Sequence, residues 1–163
     1  MQPRFDTIGP ELIAGRCAIM SLQNFRNYEL WRYFMTTRRG IPDTIGNNLY
    51  SVQVYPPDYF TKFDPAKEFE KWAAVPVSTF DNLPAEYARM TLPGGLYAVF
   101  THKGPASAGT KTLAFIFNEW LPSSGYILDD RPHFELMDHR YKNESPDSEE
   151  EMWVPVKLKE TTT

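Results

Sequence analysis

Apolar residues recur along this chain with two different periods. Tyr28, Leu30, Trp31, Phe34 and Met35 return at helical spacing with Arg26, Glu29 and Arg32 between them. That predicts a helix ending near Arg38-Arg39-Gly40, with Gly40 as its stop and Pro42 beyond. Leu113, Ile116, Phe117, Trp120 and Leu121 fall at i, i+3, i+4, i+7 and i+8 and predict a second amphipathic helix, ended by Pro122. Between and around these lie strand patterns. Glu11 to Met20 reads as a strand bent or bulged at its internal glycine, Gly15. Leu49 to Tyr55 puts Tyr50, Val52 and Val54 on one face. Trp72 to Val77 contains Pro76, which cannot donate to a ladder, and predicts an edge strand or a bulge. Leu96 to Thr101, His133 to Arg140 and Met152 to Leu158 complete the set. Asp58 to Glu70 reads as a loop, and Lys159 to Thr163 as a loose tail.

Taken in order, these elements give strand-helix-strand-strand twice, and residues repeat with them. Trp31 corresponds to Trp120, Tyr50-Ser51-Val52 to Phe134-Glu135-Leu136, and Val75-Pro76-Val77 to Val154-Pro155-Val156. The pattern predicts an α+β fold of tandem duplicated βαββ units. They form a mostly antiparallel sheet with two main helices on one face and a cleft between the halves. One domain over 1–163 is expected, with approximate repeats at 11–80 and 86–158.

Composition narrows the function. A net charge of −4 offers no basic field for nucleic acid, and an acidic balance favours cationic ligands. Aromatic residues make up 15% of the chain, and rings are what small-molecule pockets use for walls. The single cysteine, Cys17, allows no intramolecular disulfide, predicts a cytoplasmic setting, and reads as a small buried hydrophobe. No signal peptide and no membrane-spanning run is expected. His102, His133 and His139 have no compact ligand spacing and read as surface or loop residues, so no metal is expected. Gly94-Gly95 precedes a strand and does not form a phosphate cradle. Asp147 to Glu151 reads as a solvated acidic loop.

Glu135 is the leading candidate for chemistry. Its duplicated counterpart is Ser51, so the fold does not require an acid there, and its neighbours Phe134, Leu136 and Met137 are apolar. Strict alternation would place it in solvent. If it is buried, it must be protonated, hydrogen-bonded or paired with a cation.

These residues resemble a known family. Leu92-Pro93-Gly94-Gly95-Leu96-Tyr97-Ala98-Val99-Phe100, Glu119-Trp120-Leu121-Pro122, Arg131-Pro132-His133-Phe134-Glu135 and Glu151-Met152-Trp153-Val154-Pro155-Val156 carry the likeness. The chain is similar to the GyrI-like small-molecule-binding family, found also as the effector-binding half of AraC-type and multidrug-sensing regulators. The resemblance implies a ligand cleft between duplicated halves, with Glu135 pairing to a hydrophobic cationic small molecule and Tyr97 in the pocket. Glu119, Trp120, Trp72 and Tyr50 complete the candidate ligand-binding set. No cofactor and no direct nucleic-acid contact are expected, and Pro76 and Pro155, read as edge-strand prolines, point to a monomer or weak dimer. Some family members hydrolyse reactive cyclopropane-containing compounds with pocket acids, which leaves a hydrolase as the alternative. Many relatives carry an acid where this chain has Pro76, so any role of that acid is in doubt here.

Overall fold

The structure, a computed structural model, describes residues 1–160. Nine strands, β1 (Arg4–Ile8), β2 (Glu11–Ser21), β3 (Leu49–Val54), β4 (Glu68–Pro76), β5 (Ala88–Leu92), β6 (Gly95–Lys103), β7 (Tyr126–Leu128), β8 (His133–Met137) and β9 (Glu149–Leu158), form one antiparallel sheet. Its order is β1-β6-β9-β8-β3-β4-β2-β5, with β7 pairing β9. The order is symmetric about the β3–β8 junction. The two halves also exchange leading strands: β1 pairs β6 of the second half, while β5 pairs β2 of the first.

One row of directly paired residues crosses the sheet and shows the symmetry. It runs Arg16, Ala73, Ser51, Glu135, Met152, Phe100, on β2, β4, β3, β8, β9 and β6. Ser51 and Glu135 face each other at the centre, and Arg16 and Phe100 occupy equivalent outer positions. Paired residues in an antiparallel ladder project to the same side, so the whole row lies on one face.

Both helices cover that face. α1 (Asn27–Thr37) buries Leu30 and Phe34 against Phe69, Ala73 and Val75 of β4. A 3-10 turn, Arg38–Gly40, follows it, as the glycine stop predicts. The second helix starts as α2 (Gly109–Phe115), passes through a π-helical turn, Ile116–Trp120, and ends as α3 (Leu121–Ser123). Ile116 and Trp120 pack on Ala98, Phe100, Met152 and Val154. The π turn carries the helix through Pro122, because the Leu121 N–H bonds five residues back to Ile116.

The opposite face carries an aromatic layer. Phe134 lies nearly parallel between Tyr50, 5.4 Å away at 12°, and Trp153, 5.2 Å away at 16°, and Tyr97 meets both Phe134 and Trp153 edge-on. Ile13 and Leu92 from one half share this core with Tyr97 and Val99 from the other, so the sheet curls around it.

Several expectations are corrected. β4 is a central strand between β3 and β2, because Pro76 is its last residue and interrupts no ladder. Pro155 lies inside β9, where the β8 pairing has ended and the β7 pairing has not begun. Gly15 keeps continuous register with no bulge; it is needed because a Cβ there would overlap the Ala73 carbonyl. Cys17 is exposed, since it projects away from the helical face beyond the end of β5. His102 and His133 are buried, and only His139 lies at the surface. The Lys159 N–H is held by the Gly125 carbonyl; positions 161–163 of the expected tail lie outside the described residues.

Candidate functional site

The alternation that builds the helical face also places four polar side chains at its centre, in the gap between α1 and the second helix. Counting back by twos from Val75 reaches Ala73, Lys71 and Phe69; counting back from Val156 reaches Val154, Met152 and Glu150. Lys71 and Glu150 are thereby forced inward, and both are buried. Glu135, half-buried, lies between them at the β3–β8 junction and accepts a 2.8 Å hydrogen bond from Gln53 Nε2. Gln53, on β3, is buried as well.

Burial sets the charges here. It lowers the Lys71 ammonium below its ordinary value, while Glu135 and Glu150 nearby pull in the other direction. Burial pushes Glu150 up to about 7, with Glu135 adding to the rise and Lys71 opposing it. Once Glu150 ionises, above about pH 7, two carboxylates share one ammonium, which leaves room for one more positive charge.

Glu150 ties this balance to stability. Its folded value lies above the unfolded one, so its contribution is fully present below about pH 4 and is lost as pH rises through 7. Glu150→Gln is therefore expected to stabilise the fold by about 2 kcal/mol at pH 8 and to change little at pH 4. Thermal midpoints at the two pH values check this. An equal shift at both would show that the acid is not held against ionisation.

A roof of rings closes the gap. Tyr55, at the end of β3, is half-buried and meets His133 edge-on at 4.9 Å and Phe69 at 5.4 Å. Phe60, on the loop after β3, stacks on His133 at 5.6 Å and on Phe117 of the π turn at 5.3 Å. Tyr59 packs on Tyr55 at 4.5 Å. Burial raises the Tyr55 hydroxyl, with Glu135 contributing. It lowers His133 to about 3, so that ring is neutral and serves as an apolar wall. Beside this roof a cavity of about 590 Å³ opens, lined by Tyr55, Pro57, Phe60, Leu121, Asp129 and His133 among others.

The six residues singled out from sequence do not converge. Glu135 lies at the junction as described. Glu119 is exposed on the outer side of the π turn and does not meet Glu135. Trp120 is buried under its helix, edge-on to Phe100 at 5.0 Å. Tyr50, Trp72 and Tyr97 lie on the opposite face of the sheet from Glu135. There the Tyr50 hydroxyl donates to Glu11 Oε2 at 2.7 Å, the Trp72 indole donates to Glu70, and the Arg131 guanidinium lies 4.6 Å from the centre of the Tyr97 ring. Lys71, Gln53, Glu150 and the roof rings were missed. The two-residue phase with Val75 and Val156 was the signal that could have found Lys71 and Glu150.

The chain is thus a duplicated, helix-backed sheet with buried charged groups between its halves. The chain belongs to the family described as Cass2, integron-associated effector binding protein, whose family model matches residues 11–156. It is 36% identical over 98 residues to a DNA gyrase inhibitor of Erwinia billingiae (strain Eb661), a match covering 56% of this chain and 61% of that relative's length. In fold it is similar to SAV2435, solved bound to tetraphenylphosphonium, with a TM-score of 0.76, 16% identity, and coverage of 96% of this chain and 94% of that one. It is also similar to the integron cassette protein of Vibrio cholerae, with a TM-score of 0.67, 15% identity and 96% of each chain covered. Among the described residues, no helix is long and apolar enough to cross a membrane, and no three His, Cys, Asp or Glu side chains cluster to hold a metal ion.

Proposed function

We propose that this effector-binding domain takes up a hydrophobic, cationic aromatic compound in the gap between its helices, with Glu135 as the pairing carboxylate. The observation that carries this reading is the placement of two acids, Glu135 and Glu150, with one amine, Lys71, on the same sheet face at the junction, Lys71 and Glu150 both buried. A lipophilic cation supplies the missing charge, and neutral or anionic analogues do not. Tyr55, Tyr59, Phe60 and Phe117 form its aromatic wall and add cation–π attraction. The relative solved with tetraphenylphosphonium binds a ligand of this class. The role is effector sensing or sequestration, in the cytoplasm, where the exposed thiol of Cys17 stays reduced.

Glu135→Gln tests this. Fluorescence titration with a rhodamine-type dye is expected to show at least tenfold weaker binding, about 1.4 kcal/mol. Binding should also tighten from pH 6 to pH 8, because the cation and the Glu150 proton compete. Equal affinity of wild type and variant would remove the charge-pairing role.

A hydrolase is the second reading, favoured by one observation. Burial and Glu135 push Glu150 up to about 7, as a general acid beside a second carboxylate requires. Turnover of an activated cyclopropane substrate, lost in Glu150→Gln, would support it; turnover at background across pH 5 to 9 would leave binding alone.

A further inference from the structure

The duplicated fold contains its own control for one unexplained charge. Arg16 on β2 and Phe100 on β6 occupy equivalent ends of the same register row. In the second half this position is filled by the Phe100 ring, which packs on Trp120 without any charge. The sheet therefore does not require a cation at this point. In the first half it holds an arginine that is only 8% exposed.

The Arg16 guanidinium is held by two rings and two hydrogen bonds. Its centre lies 4.6 Å from the Tyr33 ring and 4.3 Å from the Tyr87 ring, one on α1 and the other just before β5. Nε donates to Thr37 Oγ1 at 3.3 Å and Nη1 to the Glu86 carbonyl at 2.9 Å. Nη2 has no partner among the described residues and is not sealed from solvent. No carboxylate oxygen of the described residues lies within 4.0 Å of Arg16, so this mostly buried charge has no counter-ion. A cavity of about 580 Å³ opens beside it, with Leu30, Ala18, Ala85 and Ala88 among its walls.

We propose that this cavity is a second binding site, separate from the central gap, for a small organic acid whose carboxylate pairs with the unpartnered Nη2 of Arg16. A planar fork held against two rings loses little freedom on binding, and its unpartnered Nη2 donates to a carboxylate oxygen in a charge-assisted hydrogen bond. Apolar walls suit a hydrocarbon or aromatic body on the acid. Glu29 and Glu86 on the rim, both exposed, disfavour dianions such as phosphate and select a single negative charge. The Arg26 side chain, also on the rim, is engaged with the Ile19 carbonyl. The domain would then hold two sites of opposite preference, a cation at the junction and an anion under α1.

Benzoate, its neutral isostere benzamide, and inorganic phosphate are the probes, with the Arg16 side-chain Nε–H resonance as the readout in the full chain. Benzoate is expected to shift that resonance saturably, and benzamide and phosphate to bind at least tenfold more weakly. Arg16→Lys should weaken benzoate at least tenfold while leaving affinity for the rhodamine-type dye unchanged. That separates this proposal from the reading of the central gap, because either can fail alone. Equal responses to benzoate and benzamide would overturn the anion site, as would the lack of any shift at 10 mM benzoate. Either result would mean that Arg16 only ties β2 to the end of α1. Should Arg16→Lys not fold, the comparison of probes on wild-type protein still decides.

Discussion

Replacing Lys71 with methionine is expected to destabilise the fold by about 3–5 kcal/mol at pH 8, measured by urea denaturation. Methionine fills nearly the same volume, so packing is largely kept and the loss reads charge. Without the ammonium, Glu135 and Glu150 face each other with no cation between them, and Glu150, already raised by burial and by Glu135, loses the one group that opposes the rise. Acids raised in the folded state stabilise it fully below their unfolded values and lose that contribution as pH rises through the folded ones. The deficit should therefore nearly vanish near pH 4. The same variant should bind a lipophilic cation at least tenfold more tightly at pH 8, because the junction then lacks two charges and not one. A variant as stable as wild type at both pH values would show that Lys71 does not balance the acids. On this reading Lys71 holds the junction together and weakens ligand binding in doing so.

Phe134→Ala should cost about 3–5 kcal/mol. Phe134 is 2% exposed, and its ring is stacked between Tyr50 and Trp153 with Tyr97 against its edge. Truncation leaves a cavity that three large rings cannot close, since each is anchored elsewhere. Tyr50 is bonded to Glu11, and the Trp153 indole donates to Glu151 at 3.1 Å. Phe134→Leu keeps most of the volume and should cost less than half as much. Dye affinity measured on the leucine variant separates the two faces of the sheet. Unchanged affinity assigns the Tyr50–Phe134–Trp153 layer to the core. A large loss would return Tyr50, Tyr97 and Trp72 to the ligand's surroundings.

Much of the architecture was legible in the sequence, for identifiable reasons. α1 and the second helix announce themselves because each buries one narrow stripe, and Ile116 and Trp120 do so even across a π turn. The duplication was visible because Tyr50-Ser51-Val52 and Phe134-Glu135-Leu136 sit at the same junction, where both are held by the same pairing. Pro76 reads as the mark of an edge, but its effect depends on where along the ladder it falls, and at the last position of β4 it leaves the strand central. β1 was missed because Arg4 to Ile8 has no clear apolar face, and its pairing with β6 depends on a strand far along the chain.

The site was less legible than the fold. Glu135 stood out because its counterpart is a serine. Glu150 was hidden in an acidic run that composition assigns to solvent, although β9 starts at Glu149 and buries both Glu150 and Glu151, on opposite faces. Lys71 was hidden for the same reason, a charge at the start of a strand. The roof rings come from a loop whose own sequence carries no period, so nothing local says that Phe60 will meet Phe117.

The exchanged leading strands bear on how the chain is made. Arg4 to Ile8 leave the ribosome ahead of the other strands but pair with Gly95 to Val99, so the first half emerges long before its opening segment has a partner. The edge strand that completes the first half, Ala88 to Leu92, likewise belongs to the opening of the second repeat. Neither half can close its sheet during synthesis without the other, and the long chain separation of these contacts predicts slow, concerted folding. A truncation that removes the first eight residues would leave the outer ladder of β6 bare in the finished molecule, a template on which further copies could pair.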